Sequence, residues 1–499
     1  MQNSETQVLA LYDFASKQEY IYKTPKIKEI SGASELLAGM YETFIKELNK
    51  SGIAAAYKGD DNKYIPFDEA AFSSSVHDAQ VLYDGGGNLM VLYKSEEIYK
   101  EANRLLSVML LQYYPGMHMI SSFVNKTANF SQGKRSDVSR LYSKNREDKN
   151  LRPAFDLTGV TPFTQLDPMT FLPVTRKFSE GEKDNPYPTE ISLSEDRYVK
   201  AAAYKRGKND TFIDEGLAAV IYIDGNNMGK KLTSLASESY DEGVKNLRFF
   251  SEEVQKSFVT VPLKKIKEEN IEFRKIIGGG DEITLICRAA DALKVVHTYF
   301  DSLNASDCVI PRKCEESYFS LVGAKTKEEK DAARKNTSCA GIALIHAKSP
   351  FTVAYELAEA ACENAKKKAH AVPGNYLDFY YCHAGATADF DTLRDAEQSM
   401  TARPYAYAGS GDENTVKLSE LEDIAAVLQL AGRANVKALG TAAQKGPTDF
   451  AFEVERVNAY LSTKDKTKRI SVNDLRTIYD VAEFYDVWFD KEDEGGTEK

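Results

Sequence analysis

A glycine-tipped hairpin occurs twice in this chain, and its recurrence limits the fold more than any other feature. The first copy is Ala79-Gln-Val-Leu-Tyr-Asp-Gly85-Gly-Gly87-Asn88-Leu-Met-Val-Leu-Tyr93, and the second runs from 271 to 287 through Ile276-Ile-Gly278-Gly-Gly280-Asp281-Glu282-Ile-Thr-Leu-Ile-Cys287. In each, an apolar β-rich run meets three glycines and then a second apolar run, the pattern of two antiparallel strands joined by a tight turn. The surroundings repeat as well. A strand over 8–14, helical patterns within 26–48, the first hairpin and a helix at 95–111 are followed later by a strand over 217–224, a helix near 239–258, the second hairpin and a helix at 290–304. Further on come a strand at 338–346, a helix at 350–371 and a strand at 375–382. A long-period repeat of one mixed unit predicts an α+β chain with two related domains. Carboxylate at the strand ends, which is how a polymerase-type palm holds metal, reads them as two ferredoxin-like palm domains.

The two copies differ where chemistry would sit. Asn88 stands where the second copy has Asp281, and Leu89 where it has Glu282. A neutral amide and a leucine cannot hold divalent cations, so the first palm is expected to be degenerate: structural, or lending one face to a shared nucleotide site. The second copy carries acids at two strand ends, in Ile221-Tyr-Ile-Asp224-Gly-Asn-Asn-Met-Gly229 and at Asp281-Glu282. Mg²⁺ or Mn²⁺ takes hard oxygen ligands, usually one or two carboxylates completed by water and substrate phosphates. Asp224, Asp281 and Glu282 are therefore the candidate catalytic residues and, with Ile223 beside them, the candidate metal positions.

Glycines allow close approach of a nucleotide to the backbone, which assigns Gly278, Gly279 and Gly280 to nucleotide binding. Gly225, Asn226, Asn227, Met228 and Gly229 lead into a helix whose first N–H groups suit phosphate oxygens. Either segment alone is an ordinary turn sequence; the order of the two, each flanked by strand patterns, gives them weight. Lys366 closes the helix of stripe Leu357, Ala361, Ala365, and either reaches a triphosphate or is one of three solvated cations with Lys367 and Lys368. His346 reads as a positioned structural residue, and His77-Asp78 as chance.

Composition narrows the class. At 42% apolar and 28% charged, with no bilayer-length apolar run and no secretory pattern, a cytoplasmic protein without a membrane partner is expected. The net charge of −11 argues against a broad surface for non-specific nucleic-acid binding. Cys287, Cys308, Cys314, Cys339, Cys362 and Cys382 form no CxxC pair and read as reduced core residues. The domain expectation is a degenerate first palm over 1–125, a polar connector over 126–215, a catalytic second palm over 216–384, a helical C-terminal domain over 385–489, and a disordered acidic tail over 490–499. The connector carries Lys134, Arg135, Arg140, Lys144, Arg146, Lys149 and Arg152, either a solvated strip or a contact for RNA or protein.

At the Asp224 strand, the Gly-Gly-Asp281-Glu282 hairpin and Cys339-Ala-Gly-Ile-Ala-Leu-Ile-His346, the sequence resembles the large polymerase-cyclase subunit of type III CRISPR effector complexes, and more distantly the GGDEF cyclases. Leu11-Tyr-Asp-Phe-Ala-Ser-Lys-Gln-Glu-Tyr-Ile-Tyr22 looks like that subunit's first palm. The resemblance implies facing palms and synthesis of cyclic oligoadenylate from ATP, with guide RNA and small CRISPR subunits as partners. Three departures stand out: no N-terminal HD nuclease domain, no zinc-ribbon cysteines, and Glu282 in place of a second aspartate. An Mg²⁺-dependent nucleotidyltransferase that cyclises its product is the reading; an RNA-guided subunit activated by target RNA and a non-catalytic scaffold are the rivals. The acceptor nucleotide would sit against the first palm or a second copy of the chain in a homodimer.

Overall fold

The structure, a computed structural model, describes residues 6–23, 27–73, 76–114, 116–151, 166, 216–346, 349–382, 394, 400–412 and 414–489. Most of the expected connector, including Arg152, part of 385–399 and the tail 490–499 lie outside the described residues.

Five strands form the first sheet: β1 (Val8–Phe14), β2 (Ala55–Ala56), β3 (Ala79–Gly85), β4 (Asn88–Tyr93) and β5 (Met119–Asn125), in the order β2-β3-β4-β1-β5. Six form the second: β6 (Leu217–Gly225), β7 (Phe273–Gly279), β8 (Glu282–Arg288), β9 (Ser338–His346), β10 (Tyr376–Tyr381) and β11 (Tyr405–Ala406), in the order β11-β10-β9-β6-β8-β7. The four-strand block β3-β4-β1-β5 matches β7-β8-β6-β9, all antiparallel neighbours. Even a local irregularity is duplicated. Register shifts fall between Val81 and Tyr83 and between Lys275 and Ile277, at the same distance from each turn. The α+β architecture of two palms and a helical end is as the sequence implies.

The register corrects the residue matching made from the sequence. Gly85 pairs with Asn88 and Tyr12 with Leu89, while Gly279 pairs with Glu282 and Ile223 with Ile283. Asn88 is thus the counterpart of Glu282, Gly87 of Asp281, and Asp13 of Asp224. Three consecutive glycines in both copies made a slip of one residue invisible in one dimension, whereas a strand ladder admits only one pairing.

Central strands are apolar on both faces because both faces are covered. Leu9 and Leu11 lie in a core shared with Ile221, Ile223, Phe250 and Leu285, and Val8, Ala10 and Tyr12 in another shared with Val220, Tyr222, Ala358 and Cys362. Alternate residues of one strand therefore serve opposite cores, and each core draws on both palms. The exchange is reciprocal: helix Ile27–Ala38 of the first palm lies against β7, and helix Tyr240–Val254 of the second against β3. Helix Asp137–Asn150, from the stretch read as connector, packs on β5 and β1. Its first residue, the wholly buried Asp137, is bound by Thr127, Arg140 and the Tyr240 hydroxyl.

Helices Leu418–Ala431, Arg433–Lys445, Pro447–Lys464 and Leu475–Phe484 make the C-terminal bundle. It is joined to the second palm through Phe379, whose ring meets Phe484 and Trp488 at 4.7 and 4.9 Å, and through buried Arg403, which reaches Asp480, Glu483 and the Phe379 carbonyl. All six cysteines are free thiols, four of them buried. Among the described residues, no helix is long and apolar enough to cross a membrane.

Candidate active site

Asp224 is next to last in β6, and the Ile223–Ile283 pairing places Glu282 beside it across the strands. Asp281 and Gly280 form the turn between β7 and β8, with Gly280 at φ 68°, a left-handed backbone that suits glycine. Gly225 completes the approach. A Cβ built on it would lie 2.8 Å from the Asp281 Cβ and 2.9 Å from its Oδ2, so only glycine lets the Asp281 carboxylate lie over the end of β6.

The charges are poorly solvated. Burial, then the negative charge of Asp224, pushes the Asp281 carboxyl up to about 7. Burial also raises that of Glu282, offset in part by Lys17 of the first palm, with Asp224 and Glu359 adding to the rise. One oxygen of Glu282 is buried without a hydrogen-bond partner, as is the side-chain oxygen of its counterpart Asn88. Against these acids stands a single bonded cation: the Lys366 ammonium binds Asp224, and although burial alone would lower its pKa, Asp224 holds it above its ordinary value. The first palm repeats the pairing, with Lys149 2.5 Å from Asp13.

A cation fits this set. Two crowded carboxylates at one strand end, one with a raised pKa, and an orphaned glutamate oxygen are what a divalent ion would relieve. Among the described residues no three His, Cys, Asp or Glu side chains converge on one point, so Asp224, Asp281 and Glu282 do not form a single three-carboxylate cage, and an ion here would take one or two of them with phosphates and water completing its shell. Ile223 is wholly buried in the core between β8 and β9, so its side chain offers no metal ligand.

The glycine-rich residues divide. Asn226 faces inward: its N–H donates to the Thr337 carbonyl, its amide to Gly374 and Thr337, and its oxygen accepts from Cys339, so no donor is left for a nucleotide. Asn227, at φ 59°, starts helix Met228–Ser234, and Gly229 faces open space. Met228, Gly278, Gly279, Gly280 and Asp281 line a cavity of about 590 Å³, within the range of small-ligand sites. Its other wall is the first palm: Phe14, Lys17, Tyr41, Lys58, Asp84 and the glycines 85–87. The two turns nearly touch, a Cβ on Gly280 falling 3.8 Å from the Gly86 Cα. Lys366 is not among the lining residues, and His346 closes the far end of β9, opposite Leu217. Sequence reasoning missed Lys17, Tyr41, Lys58 and Asp84; the only available signal was the glycine triplet that carries their wall to the site.

Residues 217–371 match the family model of Cas10/Cmr2, second palm domain. No curated protein matches the chain by sequence. Of solved structures, a Csm1–Csm4 cassette in complex with pppApA aligns over 97% of this chain and 70% of its own, at 11% identity and a TM-score of 0.52. Csm1 of T. onnurineus aligns over 96% and 69%, at 12% identity and a TM-score of 0.45. The likeness to the large subunit of type III CRISPR effector complexes therefore holds at the second palm, and the cassette shares the fold.

Proposed function

We propose that the chain is a nucleotidyltransferase that joins ribonucleoside triphosphates, ATP foremost, and closes the product into a cyclic oligonucleotide messenger of antiviral defence. One observation carries this reading: Asp281, whose carboxylate lies over the end of β6 beside Asp224, lines a cavity whose opposite wall is the first palm's glycine turn. Bond formation needs two nucleotides side by side, and the cavity offers two backbone-lined walls of the same kind. The first palm in the same chain can therefore take the acceptor, without a second copy. The similar cassette was solved with pppApA, a linear two-nucleotide chain that still bears a triphosphate, which supports adenosine as the base.

Asp224, Asp281 and Glu282 would hold Mg²⁺ or Mn²⁺, which when bound lowers the pKa of the attacking ribose hydroxyl and neutralises charge on the phosphates. In each turn of the reaction the hydroxyl oxygen bonds the α-phosphorus of the neighbouring triphosphate, its proton leaves, and pyrophosphate departs with the electrons of the broken bond. The glycine turns bring the sugar and phosphates against the backbone, and Lys366, bonded to Asp224, orients it. The cassette's second component favours an additional reading, in which the chain works within an assembly of small CRISPR subunits and guide RNA and is switched on by target RNA.

Incubating the chain with Mg²⁺ and all four ribonucleoside triphosphates, beside the Asp281→Ala, Glu282→Ala double variant, tests the proposal by mass spectrometry. A cyclic product from the wild type alone is expected. Equal turnover by both proteins would overturn the assigned site, and product only after addition of the other subunits and target RNA would favour the assembly reading.

A further inference from the structure

Three lysines line the cavity between the palms, and two are already paired: Lys58 with Asp84 at 3.2 Å and Lys256 with Glu253 at 3.0 Å. The third, Lys17, has no carboxylate within 4 Å among the described residues. Its position is nonetheless well defined. Lys17 opens the short helix Lys17–Ile21, and the next residue, Gln18, donates to the Tyr355 hydroxyl at 2.8 Å and to Glu359 at 3.1 Å on the second palm's helix Phe351–Ala371. The Tyr22 ring lies 4.2 Å from that of Tyr355, closing the same contact from the other end. The lysine stem passes the glycine turn, its Cδ 3.9 Å from where a Gly87 Cβ would be, and its ammonium is the strongest charge acting on Glu282. A cation from the first palm thus stands in the wall of the cavity that Asp281 also lines, near enough for its charge to act on Glu282.

Building on the nucleotidyltransferase reading, we infer that Lys17 is a phosphate-binding residue of the site, which holds the polyphosphate of the nucleoside triphosphate seated in the cavity that both glycine turns line. The division of labour between lysines follows from the geometry. Lys366 is engaged by Asp224 and stands off the cavity, so it serves the carboxylate; Lys17 has an open ammonium on the cavity wall, so it serves the ligand. A lysine ammonium is a compact charge with three donors, suited to phosphate oxygens that change position as pyrophosphate leaves. The active site is then composite, and the first palm contributes charge as well as a backbone wall.

Equilibrium binding of a non-hydrolysable ATP analogue and of adenosine, each in Mg²⁺, to wild type, Lys17→Met and Lys17→Arg tests this. Loss of a hydrogen-bonded charge is expected to weaken the triphosphate by about tenfold or more in Lys17→Met while adenosine binding stays within about twofold, with Lys17→Arg recovering most of the loss. Equal weakening of both ligands would show that Lys17 acts only by shaping the site around Glu282, and unchanged binding of both would show no role; either result overturns the inference. A wild type that binds neither ligand would overturn the nucleotidyltransferase reading itself, and this inference with it.

Discussion

Asp281 is the residue on which the site's electrostatics turn. Its proton is held more tightly in the folded chain than in the unfolded one, because burial and Asp224 both penalise its charge. Its contribution to stability is therefore fully present below the ordinary aspartate range and is lost as pH rises through about 7. Asp281→Asn removes the charge and keeps the shape. Without divalent metal this variant should melt above the wild type at about pH 8, with the gap narrowing toward about pH 5, and added Mg²⁺ should close the gap by stabilising only the wild type. Thermal melts with and without a chelator measure all three; a gap that is constant with pH would mean that Asp281 is not held protonated. The acids themselves were legible from the sequence, since carboxylate at two strand ends after apolar runs is unusual. Their one-residue offset from the first palm was not, and neither was the inward turn of Asn226, because identical glycines and a polar side chain carry no directional signal.

Among the elements, β9 and helix Phe351–Ala371 depend on one glycine. A Cβ on Gly341 would fall 1.9 Å from the Ala358 carbonyl oxygen and 2.5 Å from the Cys362 nitrogen, both backbone atoms that cannot turn aside. The helix lies directly on the strand there, which brings Lys366, one turn beyond Cys362, over Asp224. Gly341→Ala should cost about 2–3 kcal/mol or more in urea denaturation and displace Lys366 from its partner. Gly279→Ala, where the added methyl meets nothing within 4 Å, should change stability by no more than about 0.5 kcal/mol. If the two variants proved equally stable, the close approach of helix and strand would be wrong. Periodicity located both elements, but it treats every glycine alike; the need for this one arises only from the contact it permits.

The whole molecule is organised around the joint between the palms, and Arg248 pins it. From helix Tyr240–Val254 its guanidinium donates to three first-palm carbonyls, Leu82 at 2.9 Å, Ile65 at 2.9 Å and Val81 at 2.7 Å, with the Tyr64 ring 4.6 Å away. The Val81 and Leu82 carbonyls are available because β2 pairs with only two residues of β3, leaving the strand's edge open just before the glycine turn. Arg248→Ala should lower stability by about 2–4 kcal/mol and reduce triphosphate turnover, as the first palm's turn loses its position over the acids. Arg248→Lys should recover only part of either, since one ammonium cannot span three carbonyls in a plane. Denaturant midpoints and turnover, measured on the same preparations, check both; full recovery by lysine would reduce Arg248 to a simple charge.

By itself the sequence determined the repeated unit, the α+β class and the acids at the strand ends, because these depend on period, turn residues and charge within a few residues of each other. Only the tertiary structure decided that both palms share their cores, that Gly87 rather than Asn88 answers Asp281, and that Lys17 of the first palm lines the same cavity as Asp281 of the second. Those facts rest on ladder register and on side chains far apart in the chain, where spatial proximity leaves no local trace.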